Sequence, residues 1–235
     1  MKYFISLSIF LLSFSSTAQS IYVEGGLLFL RNTIESPLKY GKQVNTQEEY
    51  MMIGYEHYFP KLYNTYISFD YSYYFVGAEF TIENPELNLG FGFGENIIEG
   101  HIFALGIRKP FYIIKNRLNI SGGVYIKAIK INRTWPDTYY TVAEEQYVGH
   151  AGSNAFPGWK AQPEIRIAID VRFLWRLHFY TNWGFSKGFS KWQEIFYYYS
   201  YEGIQQPKAL NYVDGTGYFA NIGLKFDFVS QAKKR

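Results

Sequence analysis

In the stretch EIRIAIDVRF, residues 164–173, Glu164, Arg166, Asp170 and Arg172 alternate with Ile165, Ile167, Ile169 and Val171. Acids and bases spaced by two and four residues on one face of an extended chain can form ion pairs. They lack the spacing of a metal site. The four histidines, His57, His101, His150 and His178, are scattered, and no pair has metal-ligand spacing. No metal and no cofactor is therefore expected. The glycine-rich GFGFGEN, residues 90–96, has neither the buried parallel strand before it nor the helix after it that a dinucleotide loop needs, and it is read as an extracellular loop.

Period-two alternation requires a β-strand with two unlike faces. Segments of this kind recur at 20–30, 50–59, 66–77, 98–112, 118–131, 164–173, 176–189 and 218–228. One face carries Val23, Ile53, Phe69, Leu105, Val124, Ile167, Phe179 and Leu224 in turn, and the other is polar or small. No stretch is apolar for long enough to make a membrane helix. Ten-residue alternating segments are the pattern of a transmembrane β-barrel. The connections 60–64, 114–117 and 174–175 are short, and 31–49, 78–97, 132–160 and 190–217 are long. Short and long alternate, as periplasmic turns and extracellular loops do. The expected fold is all-β, an eight-stranded antiparallel transmembrane barrel of meander topology.

In such a barrel the aliphatic face meets lipid and the charged face lines the lumen. Inward positions then carry Glu24, Glu56, Asp70, Glu164, Asp170 and Asp227, opposed by Arg108, Lys127, Arg166, Arg172, Lys225 and His178. Buried charges are tolerated when paired. An eight-stranded interior is just wide enough for side chains to fill, so a lumen network and no open pore are expected. Small inward residues, among them Gly26, Gly54, Gly100, Ala104, Gly106 and Gly223, leave room for Arg and Tyr. Aromatics make up 21% of the chain, far more than a soluble core needs, and suit two interfacial girdles. His101 and Glu99 read as an outer-rim polar patch facing lipopolysaccharide head groups, with cation binding as the alternative.

The first residues, MKYFISLSIFLLSFSSTAQS, join Lys2, a short apolar run and small residues ending at Ala18. Residues 1–18 are expected to be a secretory signal peptide, leaving 19–235 as the barrel domain. The Ala-Gln junction resembles signal peptides of the Bacteroidetes group. The chain has no cysteine, which excludes disulfides and thiol chemistry. A formal net charge of +3 is too mild to argue for nucleic acid.

Through its strand count, loop alternation and charged lumen, nearly all of 19–235 resembles the small eight-stranded outer-membrane barrels, the OmpA-transmembrane and OmpX-like group. Where those barrels commonly end on an aromatic residue, Phe226 and Phe228 are followed here by VSQAKKR. The resemblance implies an outer-membrane protein in contact with lipid, lipopolysaccharide and the barrel-assembly machinery.

GHAGSNAFPGW, residues 149–159, resembles the His-x-Ser-Asn segment of the outer-membrane lipid A 3-O-deacylase family. That resemblance implies His150, Ser153 and Glu164 as candidates for a hydrolase triad. The spacing here is His-x-x-Ser, and the pair is expected in a loop. KWQEIFYYYSYEG, residues 191–203, concentrates Trp192, Phe196, Tyr197, Tyr198, Tyr199 and Tyr201. It reads as a loop binding an extracellular protein or glycan, or as a strand hairpin extending past the membrane. The function expected is non-catalytic: an envelope structural or surface-interaction barrel. A lipid A hydrolase and a small porin or secretion accessory are the alternatives.

Overall fold

The computed structural model describes residues 19–34, 41–43, 46–60, 62–76, 80–84, 89–93, 98–114, 117–132, 139–144, 147–201, 203–205 and 208–228. Eight long strands form the wall. They are β1 (Gln19–Ile34), β2 (Thr46–Phe59), β3 (Thr65–Val76), β4 (Ile98–Ile114), β5 (Leu118–Asn132), β6 (Gly158–Arg172), β7 (Leu177–Ser186) and β8 (Ala209–Asp227). Each pairs antiparallel with the next, and β1 pairs with β8 in the register Ser20↔Asp227 to Leu30↔Gly217. The result is a closed meander with no free edge at membrane height, as an apolar solvent requires. Among the described residues there is no helix.

The wall is inside-out relative to a soluble sheet. Ile126 is 67% exposed while its neighbour Lys127 is 4% exposed. The same inversion separates Ile165 from Glu164, Ile107 from Arg108, and Leu224 from Lys225. The charged face of EIRIAIDVRF lies inside and its aliphatic face outside, as the alternation predicts. Phe111, Phe173 and Trp175 stand exposed near the short-turn end. Trp159, Phe75 and Tyr218 are exposed nearer the other end.

The short connections are tight. Tyr63 and Asn64 adopt left-handed φ of 51° and 56°, and Tyr58 Oη donates to Asn64 Oδ1 at 2.8 Å. The long connections depart from plain loops, because all four contain strand; in 190–217 this is the hairpin extension that the sequence offers beside a loop. Residues Gly41–Gln43, Phe80–Asn84 and Leu89–Phe93 form a separate small sheet, so part of GFGFGEN is strand. Tyr147–Ala155 is also a strand, paired with Tyr139–Glu144 and with Gln193–Tyr201. Gln193–Tyr201 in turn pairs with the first residues of β8. Past the lipid, backbone groups still gain by pairing with each other, and the Tyr- and Val-rich composition of these segments favours strand. Wall strands therefore run on as a raised rim on one side.

Candidate functional site: the packed lumen

The inward residues fall into three layers. Nearest the short turns, Glu56 receives Arg108 and also Lys225, whose Nζ is 2.8 Å from Glu56 Oε2. Lys225 Nζ also donates to Asp170 Oδ2 at 2.6 Å. His178 faces carboxylates with both ring nitrogens, Nδ1 at 2.5 Å from Asp170 and Nε2 at 3.0 Å from Asp227. Ser20 Oγ donates to Asp227 at 2.7 Å, and Arg172 Nη2 stands 3.7 Å from the same carboxylate. Arg108, fully buried, also donates to Tyr180 Oη at 2.8 Å, with its guanidinium 5.0 Å from the centre of the Tyr66 ring.

The middle layer is centred on Arg166, which pairs with Asp70 and with Glu164. Lys127 Nζ is 2.8 Å from the other Glu164 oxygen. Tyr22 Oη donates to Asp70. Arg166 lies 3.8 Å above the Tyr125 ring. Glu24 accepts from Asn221 Nδ2 at 3.0 Å. The Tyr22 and Tyr180 rings, 5.0 Å apart, join this layer to the one below. Desolvating so many ions is costly, and the charge-assisted bonds between them offset that cost.

The third layer, toward the rim, is apolar. Leu28, Leu30, Ile129, Ile131, Tyr74 and Trp192 are all at most 4% exposed and pack together. Trp192 lies with its ring 5.7 Å from that of Tyr74. Its backbone is tied on both sides, N donating to Val213 O at 2.7 Å and O accepting from Phe156 N at 2.8 Å. Trp192 stands in the segment expected to bind surface ligands, but it is buried in the lumen and out of reach of one. Phe196 is also buried, with Lys208 Nζ 4.4 Å from its ring centre. Tyr197, Tyr198, Tyr199 and Tyr201 pair through their backbones with Ala151, His150, Gly149 and Tyr147. Their side chains lie outside the described residues.

His150 and Ser153 lie on the rim strand Tyr147–Ala155 rather than in a loop, opposite Tyr198 and Ile195. Their side chains are also outside the described residues. Glu164 is a lumen residue whose two oxygens are engaged by Arg166 and Lys127. Among the described residues no group of three or more His, Asp and Glu is arranged to hold a metal ion. His101 and Glu99 point outward and are bonded to tyrosines, Tyr71 Oη lying 2.9 Å from His101 Nδ1 and Tyr73 Oη donating to Glu99 at 2.6 Å.

Sequence reasoning leaves the apolar layer unassigned, along with Tyr22 and Tyr66; these two complete the polar layers together with Tyr125 and Tyr180, which the alternation of β5 and β7 already puts on the inward face. The signal was present in phase. Leu28 and Leu30 continue the inward register of Glu24, and Ile129 and Ile131 continue that of Lys127.

The architecture is similar to that of the outer membrane protein OprG from Pseudomonas aeruginosa, with a TM-score of 0.55 and 7% identity over 91% of this chain and 97% of that one. Neisserial surface protein A (NspA) aligns at a TM-score of 0.42 and 5% identity, covering 88% of this chain and 97% of its own. A major outer membrane protein from Thermus thermophilus aligns at 0.42 and 6%, covering 90% and 99%. No protein-family model matches the sequence, and no curated protein matches it. At such identities the likeness is one of fold.

Proposed function

We propose that the chain is an integral protein of a bacterial outer membrane, exported on residues 1–18, with 19–235 as its barrel domain. Its role is non-catalytic, as an envelope structural or surface-interaction barrel. One observation carries this reading: an apolar wall facing outward encloses a lumen filled by paired charges and an apolar layer. The outward wall suits lipid, and the filled lumen leaves no route for a solute. Contact with partners then falls to the surfaces at the two ends. The rim built from Tyr147–Ala155 and Gln193–Tyr201 suits an extracellular protein or glycan, and lipopolysaccharide would surround the outward patch at Tyr71, Tyr73, Glu99 and His101. Insertion would depend on the barrel-assembly machinery.

The chain has no cysteine, which makes the test clean. Gln205→Cys at the exposed rim should react with a membrane-impermeant maleimide in intact cells. Tyr63→Cys, in the short β2–β3 turn and 80% exposed, should react only after the outer membrane is permeabilised. Labelling in the opposite order, or recovery of the protein in a soluble fraction, overturns the reading.

A further inference from the structure

The outer wall carries a hollow and a charge that a plain lipid-facing surface does not call for. Gly25 stands between Glu24 and Gly26 on β1, so its Cα hydrogen faces outward, and a Cβ built there meets no atom within 4 Å. The hollow belongs to an outward groove of about 740 Å³ whose walls include Val23, Leu27, Met51, Ile53, Tyr71 and Tyr73. The groove is apolar and opens on the lipid side, a shape that receives a hydrocarbon chain.

A polar strip begins at the far wall of that groove. Strand register sets Met51, Tyr73, His101, Lys130 and Trp159 side by side across β2 to β6. Tyr71 Oη lies 2.9 Å from His101 Nδ1, which leaves Nε2 as the nitrogen on offer, and the Tyr73 ring lies 5.1 Å from the imidazole. Lys130 Nζ stands 5.9 Å from the centre of the Trp159 ring and, among the described residues, forms no ion pair. A cation on a lipid-facing wall is costly in hydrocarbon, so this row belongs at head-group level, where an anion from outside the chain can meet it. One row nearer the rim stand two carboxylates, Glu49 at the groove and Glu99, which accepts from Tyr73. They repel a second phosphate and can accept from sugar hydroxyls.

We propose that this face seats one molecule of a phosphorylated, multiply acylated glycolipid of the outer leaflet, the lipid A of lipopolysaccharide. One acyl chain lies in the groove over Gly25, a phosphate on Lys130 and His101, and the sugar against Glu49 and Glu99. From Met51 at the groove to Lys130 on β5 is three strand spacings, about 14 Å. A head group of that breadth is a sugar carrying several chains, whereas a glycerol phosphodiester with two chains sits on the groove or on the cation. The inference rests on the outer-membrane reading above and turns its general contact with lipopolysaccharide into one defined site.

The test is titration of the full-length barrel in detergent micelles with purified lipid A, with native mass spectrometry counting the bound lipid. One lipid A should stay on each barrel under conditions where phosphatidylglycerol, an anionic lipid with two chains, does not. Lys130→Gln should lower lipid A affinity at least ~10-fold, the loss of a charge-assisted contact. Gly25→Leu fills the groove from a position where a Cβ meets no neighbour, and should lower affinity at least ~5-fold with the urea midpoint unchanged. Lys109→Gln, an exposed cation at the short-turn end, should bind as the wild type does. Unchanged heat-dependent gel mobility confirms that each variant is folded. No retained lipid A, equal binding by the wild type and either Lys130→Gln or Gly25→Leu, an equal loss from Lys109→Gln, or phosphatidylglycerol bound as tightly as lipid A would each overturn the proposal while the cysteine labelling order still stands. Labelling of Tyr63→Cys in intact cells would instead overturn the outer-membrane reading, and this site with it.

Discussion

Gly54 and Tyr22 occupy one site between them: a Cβ built on Gly54 would fall within the Tyr22 ring, against Cζ and Cε2. The ring cannot yield, because its hydroxyl is bonded to Asp70 and its face packs on Tyr180. Gly54→Ala should therefore cost about 1–3 kcal/mol by overpacking. Gly25→Ala is the control, since nothing lies within 4 Å of a Cβ there; it should stay within about 0.5 kcal/mol of the wild type. Urea unfolding in lipid vesicles measures both. Equal losses would mean that the lumen is looser than the Tyr22 contact requires.

Lys225 is the cation shared by Glu56 and Asp170. Lys225→Met leaves two buried carboxylates short of a partner, and about 3–5 kcal/mol of stability should be lost. Combining it with Glu56→Gln should lose less than the sum of the two single changes, because the residues are directly coupled. Strict additivity of the two would dissolve the network into independent charges.

In planar bilayers the wild-type protein should give no steady conductance. Trp192→Ala removes a buried indole from the apolar layer and should destabilise the barrel by about 3–5 kcal/mol. It should remain silent in the bilayer, because two ionic layers still fill the lumen below. Stable channels from the wild type would reverse the filled-lumen reading. Channels from the variant alone would assign the seal to Trp192.

Lipid A extracted from cells expressing the wild type and Ser153→Ala should have the same mass spectrum. Loss of an acyl chain with the wild type alone would make the barrel a hydrolase, with His150 as its base. Glu164, engaged by Arg166 and Lys127, would then need to leave both to serve as the orienting acid.

If the rim holds a surface partner, as proposed, replacing Tyr197, Tyr198, Tyr199 and Tyr201 together by Ser should abolish its capture in surface crosslinking. Removing the whole of 191–203 would be a poorer experiment, since it also takes Trp192 out of the lumen. Capture that survives the four substitutions would move the interaction away from this rim strand.

The wall was legible because each strand crosses from lipid to lumen at every residue, which writes a two-residue period into segments such as EIRIAIDVRF. The apolar layer was not, for the same physical reason. Where Leu27 and Phe29 face outward and Leu28 and Leu30 inward, both faces are apolar and the period disappears. Tyr147–Ala155 reads as a loop because alternation is matched to the thickness of a bilayer, whereas this strand pairs beyond that thickness; Gln193–Tyr201 is the strand extension that the sequence offers beside a loop. The charged inward residues could be placed on a face, but not matched. Arg166 reaches Asp70 across 96 positions, and strand tilt and stagger set such partners.

The wall closes where Ser20 Oγ reaches Asp227, across 207 positions of sequence. The strand that completes the ring is thus the last of the eight to leave the ribosome. Until it docks, β1 and β7 present open ladders of unpaired amides that would join any other extended chain. Seven strands already hold six of the eight pairings, and the two that close the ring include the most non-local one. Until then a chain of which 21% is aromatic leaves rings exposed that the closed wall would place against lipid or in the lumen. The pairing of β1 with β8 is thus the least local contact of the wall, and the one whose formation the topology slows most.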